Sequence, residues 1–80
     1  MWHLRTKQGV FWVIEHVSDG AGVFRLGIDD LELGTYKDPK DAIKDVCEQV
    51  TGHLQWDCQT SIKAPKDIAD WRSGQPEDWN

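Results

Sequence analysis

The chain has 80 residues, of which 39% are hydrophobic and five are tryptophan. This length suffices for one small domain and leaves little room for a second domain or a deep catalytic cleft. The net charge of −5 disfavours non-specific nucleic-acid binding, which depends on phosphate neutralisation, although residues 1–28 hold three basic and only two acidic groups.

The N-terminal part of the chain predicts an antiparallel meander of three or four strands. Residues 2–7, 23–28 and 31–36 each alternate apolar and polar side chains, as half-buried strands do. Turn-forming residues separate the apolar segments at 8–9, 18–22 and 29–30. Because these connections are short, consecutive strands are expected to be antiparallel neighbours.

Residues 10–14, Val-Phe-Trp-Val-Ile, differ from the other strands because they are apolar on both faces. One main helix can cover only one of these faces. The C-terminal segment is the predicted cover of the other face, because it carries Trp56, Ile68, Trp71 and Trp79. If that face has no such cover, it is expected to bind another molecule.

Residues 39–51 predict the main helix. Asp38 suits the N-cap, Pro39 the first helical position and Gly52 the end of the helix. Apolar residues recur at helical spacing and form one stripe, namely Ala42, Ile43, Val46, Cys47 and Val50. This stripe is expected to face the sheet.

The remaining residues predict smaller elements. Residues 53–62 alternate and favour a short strand or loop, and Pro65 begins a predicted two-turn helix over 65–72. The domain is placed at 1–74, and 75–80 is expected to be a flexible C-terminal tail. The predicted fold class is therefore α+β, an antiparallel three- to four-stranded meander packed against one main helix, with a short C-terminal strand or loop and helix.

The stretch LELGTYKDPKDAIKDV, residues 31–46, resembles the junction between sheet and helix in AP2-type DNA-binding domains. There, a strand ending in a Leu-Gly-Thr-aromatic run leads into a helix after a polar cap. The resemblance maps Leu33, Gly34, Thr35 and Tyr36 onto that run and Ala42 onto the helix face. It implies a sheet-plus-helix fold, but these are not base-reading positions, and the arginine-rich early strands of that family are missing from this chain.

Groups that could support catalysis or metal binding lack the required spacing. The candidates for a transition metal are Cys47, His53, Asp57 and Cys58. Those for a nucleophile are His16, Ser18 and Asp19, or Cys58 with His53, and those for calcium are Asp29, Asp30 and Glu32. Structural zinc sites use paired ligands at short fixed spacings, and calcium loops need a glycine and a terminal glutamate. We therefore predict no catalytic residue, no metal and no cofactor, and we expect both cysteines to be reduced and buried.

A small non-enzymatic binding or accessory domain is the expected function, with another protein or a second copy of the chain as partner. The alternative is nucleic-acid binding through the N-terminal sheet face, where basic and aromatic side chains interleave. A third hypothesis is a small metal or redox protein that uses the two cysteines. The possible partner-binding residues are Arg5, Lys7, Trp12, Arg25, Tyr36 and Trp79.

Localisation is predicted from what the sequence lacks. The longest apolar run has five residues, whereas a membrane span needs about 20. Residues 1–8 also lack the apolar segment of a secretory signal. We therefore expect a cytoplasmic protein without a membrane partner.

Overall fold

The computed structural model describes residues 1–18 and 20–76 of the chain. Within them, the strands are β1 (Trp2–Thr6), β2 (Gly9–Ser18), β3 (Ala21–Ile28), β4 (Leu31–Tyr36) and β5 (Arg72–Ser73). They form one antiparallel sheet in the order β4-β3-β2-β1-β5. The same residues form the helices α1 (Pro39–Glu48) and α2 (Leu54–Asp57) and a 3₁₀ turn at Ile68–Asp70. The predicted α+β class is confirmed.

The first four strands form the predicted meander. Thr6 pairs with Gly9 and Ile28 pairs with Leu31, so each of these two hairpins closes over two turn residues. Asp29 occupies the second of these turns at φ 49°, in the left-handed region that Asp tolerates better than most residues. Its carboxylate accepts a hydrogen bond from the Val10 N–H at 2.9 Å, which ties the turn to β2.

The core lies between one face of the sheet and α1. Sheet residues Phe11, Val13 and Leu26 are fully buried, and so are Ile43 and Val46 of the helix. The buried cluster also contains Ile28, Ala42, Trp56, Ala64 and Trp71. Three residues of the predicted apolar stripe, Ala42, Ile43 and Val46, therefore face the sheet. Cys47 is only half-buried, and Val50 is 60% exposed beyond the end of the helix.

Helix α1 begins where the sequence predicts and ends before the predicted residue 51. The Asp38 carboxylate accepts the cap hydrogen bond from a backbone N–H at 2.9 Å. Gln49 leaves the helix at φ 60°, and its side-chain amide donates to the carbonyls of Trp56 and Gln59. These bonds hold a non-glycine residue in the left-handed region, so the helix ends before Gly52 is reached.

Of the two alternatives predicted for residues 53–62, a short strand or a loop, the strand is wrong, because residues 54–57 form α2. The helical turn sends Trp56 into the core, where its indole N–H donates to the Val46 carbonyl at 2.9 Å. The Asp57 carboxylate accepts from the Thr51 hydroxyl at 2.8 Å and from the Gly52 N–H at 2.8 Å. These side-chain bonds fix the loop before α2 in a way that strand alternation does not foresee.

The predicted two-turn helix at 65–72 is a single 3₁₀ turn followed by β5. The Asp67 carboxylate caps this turn by accepting from the Ala69 N–H at 3.0 Å. Trp71 ends the turn and is buried against Phe11. Arg72 then pairs with His3, so the chain joins the edge of β1 instead of continuing a helix.

Residues beyond β5 remain against the sheet as far as they are described. The Gly74 N–H donates to the Met1 carbonyl at 2.7 Å, and Pro76 is buried. Residues 77–80, the last part of the predicted flexible tail at 75–80, lie outside the described residues.

The two cysteines differ in exposure. Cys47 is half-buried, whereas Cys58 is exposed and both are free thiols. The expectation that Cys58 is buried is wrong, because α2 turns Trp56 towards the core and leaves Cys58 at its C-terminal end facing solvent.

Candidate functional site

The face of the sheet opposite the core, which we call the second face, is the candidate site. The strand register places on it His3, Arg5, Val10, Trp12, Ile14, His16, Val23, Arg25, Glu32, Thr35 and Arg72. Both helices and the 3₁₀ turn contribute their buried or partly buried apolar side chains to the core cluster on the other side. Within residues 1–18 and 20–76, no helix therefore covers the second face.

The C-terminal segment does not provide the predicted cover of this face. Trp56 and Trp71 contact Phe11, with ring centroids 4.8 and 6.4 Å apart, and Ile68 packs against the same cluster. Phe11 faces α1, so these residues extend the core instead of covering the second face. The reason is topological, because the chain leaves α1 on the core side and returns to the sheet only at the outer edge of β1. Trp79, the fourth predicted covering residue, lies outside the described residues.

Trp12 is buried although it lies on the second face and outside the core cluster. Its ring lies over Gly27, where an added Cβ would come within 1.9 Å of the indole Cζ2 atom. The indole N–H donates to the Asp29 carbonyl at 2.8 Å. Because Gly27 has no side chain, the Trp12 ring can pack against β3, and its indole N–H is hydrogen-bonded.

An exposed row of charged and titratable groups crosses the second face beside Trp12. Arg25 hydrogen-bonds to Glu32 through its guanidinium Nε, and both side chains are more than two-fifths exposed. This bond lowers the pKa of Glu32, and the nearby charge of His16 lowers it slightly further. Ile14, directly opposite Arg25 on β2, is 37% exposed. Apolar and ionic groups thus alternate at one accessible surface.

A basic pocket of about 510 Å³ opens at the end of the second face where β5 joins β1. It is lined by His3, Arg5, Arg72, Ser73 and Gln75. His3 is only 5% exposed, and its Nδ1 atom lies 2.7 Å from the Gly74 carbonyl oxygen. Since a carbonyl only accepts, Nδ1 carries the proton and donates this bond.

The structure brings together only some of the predicted partner-binding residues. Arg5, Trp12 and Arg25 share the second face, whereas Lys7 is exposed in the turn between β1 and β2. Tyr36 lies on the core face, where its hydroxyl donates to Asp45 at 2.7 Å. Trp12 and Tyr36 therefore lie on opposite faces and cannot both stack with the bases of one nucleic-acid strand, as the nucleic-acid hypothesis expects. Trp79 lies outside the described residues.

Sequence reasoning missed Arg72, Ser73 and Gln75 as members of the site. Arg72 was expected at the end of a helix, and a strand of two residues is too short to produce an alternating pattern. His16 and Ile14 could have been found, because they continue the alternation from Trp12 along β2.

In residues 1–18 and 20–76, no three His, Cys, Asp or Glu side chains are grouped so that they could hold a metal ion. In that same part of the chain, no helix has the length and apolar character needed to cross a membrane.

Comparison with known proteins yields no relative. No protein-family model, no curated protein and no solved structure matches this chain. The resemblance of residues 31–46 to AP2-type domains therefore extends no further than the strand-to-helix junction that β4 and α1 form.

Proposed function

We propose that this chain is a small non-catalytic binding domain whose second face binds an acidic surface of a partner protein. One observation carries the proposal, namely a face with exposed apolar and cationic groups that no described helix covers. Among residues 1–18 and 20–76, this face bears Arg5, Arg25 and Arg72 against one acidic residue, Glu32, whereas the whole chain has a net charge of −5. Such charge segregation favours a partner of opposite charge and orients it as it approaches.

A second copy of the chain is a weaker candidate partner. In a two-fold symmetric dimer, the same face of each copy would meet the other. Arginines of one copy would then approach arginines of the other, and like charges brought together at an interface are costly. A separate acidic protein meets no such repulsion.

Nucleic acid is also disfavoured as the partner. Single strands bind to surfaces on which several exposed aromatic rings stack with bases. On the second face, Trp12 is buried over Gly27, and Tyr36 belongs to the opposite face.

The proposed location is the cytoplasm, where free thiols such as Cys47 and Cys58 stay reduced.

Site-specific photocrosslinking in the native host tests the proposal. A photoreactive phenylalanine analogue replaces Ile14 on the second face, and the same analogue replaces Leu54, which is 73% exposed on α2, as the control. We expect a discrete adduct with an acidic protein from position 14 only. Adding Arg25→Glu to the position-14 variant should reduce its yield, because the charge at the face is reversed.

Three results would contradict the proposal. Adducts of equal yield from positions 14 and 54 would show that the second face has no special role. An adduct formed only between two copies of the chain would assign the face to self-association. An adduct destroyed by nuclease would assign it to nucleic acid.

A further inference from the structure

We draw no further inference here: the strongest candidate, the surface patch of exposed Ile14 and His16 beside the Arg25–Glu32 pair on the second face, belongs to the site already described.

Discussion

At the scale of single residues, Trp12 depends on the absence of a side chain at Gly27. Replacing Gly27 with Ala would place a methyl group 1.9 Å from the indole ring and break the packing of Trp12 on β3. We expect Gly27→Ala to lower the free energy of unfolding by about 1–3 kcal/mol. Urea denaturation followed by circular dichroism measures this loss, and the indole N–H signal of Trp12 should shift as its bond to Asp29 is broken.

Gly34→Ala is the matched control for this substitution. Gly34 lies in β4, and an added methyl group there would lie 3.6 Å from Tyr36, which is an ordinary contact distance. We expect a change smaller than about 0.5 kcal/mol. If both variants lose the same free energy of unfolding, the loss comes from placing alanine in a strand and not from a clash with the Trp12 ring.

Tyr36 makes the stability of the protein sensitive to alkaline pH. Burial, followed by the hydrogen bond to Asp45, raises the pKa of Tyr36 well above its ordinary value. The folded state therefore holds this proton more tightly than the unfolded state. The resulting stability is present below about pH 10 and is lost as the pH rises through that value and beyond.

Ultraviolet absorbance at alkaline pH tests this because Tyr36 is the only tyrosine of the chain. We expect phenolate absorbance to appear near pH 10 in urea and at distinctly higher pH in the folded protein. Tyr36→Phe should cost about 1–2 kcal/mol at neutral pH and make the alkaline loss of stability shallower. Coincident titration curves with and without urea would contradict the buried hydrogen bond.

The two cysteines are expected to react with a thiol reagent at different rates. Cys58 is exposed and should react quickly in the native protein, whereas Cys47 is half-buried on α1 and should react slowly. Absorbance after mixing with an aromatic disulfide should show two phases of equal amplitude. Cys58→Ser should abolish the fast phase, and survival of that phase would show that the exposures have been assigned to the wrong residues.

At the scale of elements, the burial of α1 distinguishes two valines that the sequence places on one stripe. Val46 is fully buried in the core, whereas Val50 is 60% exposed beyond the end of the helix. Val46→Asp should unfold the domain, since an unpaired buried charge costs several kcal/mol against a total stability of about 5–15 kcal/mol. Val50→Asp should leave the thermal transition nearly unchanged.

Thermal denaturation of both valine variants tests this prediction. A cooperative transition for Val46→Asp at the wild-type temperature would show that the helix does not bury this face. Unfolding of both variants would show that the helix extends to residue 51, as its apolar spacing alone predicts. Val50 is exposed because the side-chain hydrogen bonds of Gln49 turn the backbone out of the helix before it reaches Val50.

At the scale of the whole molecule, the helices and the charged side chains are distributed unequally between the two sides of the sheet. Both helices and the 3₁₀ turn lie on the core side, and the core contains two of the five tryptophans, Trp56 and Trp71. The second face has Trp12 as its only described tryptophan and presents three arginines in a chain of net charge −5. As a result, one face of the sheet carries the core, whereas the described part of the other face stays accessible.

Local patterns in the amino-acid sequence suffice to predict the meander, the start of α1 and the α+β class. These features follow from local rules, because alternation, turn residues and caps act between neighbours in the chain. Even the two-sided strand at 10–14 was correctly identified, since Phe11 and Trp12 are both buried on opposite faces.

Long-range contacts fix the path of the chain after α1 and bring together the side chains that line the pocket. Gln49 and Asp57 fix the loops through bonds to distant backbone atoms, and β5 forms because the edge of β1 is available. Contacts between residues as far apart as His3 and Gly74 leave no periodic signal. Their energy depends on a fold already assembled, so the C-terminal elements and the basic pocket could not be predicted from local pattern alone.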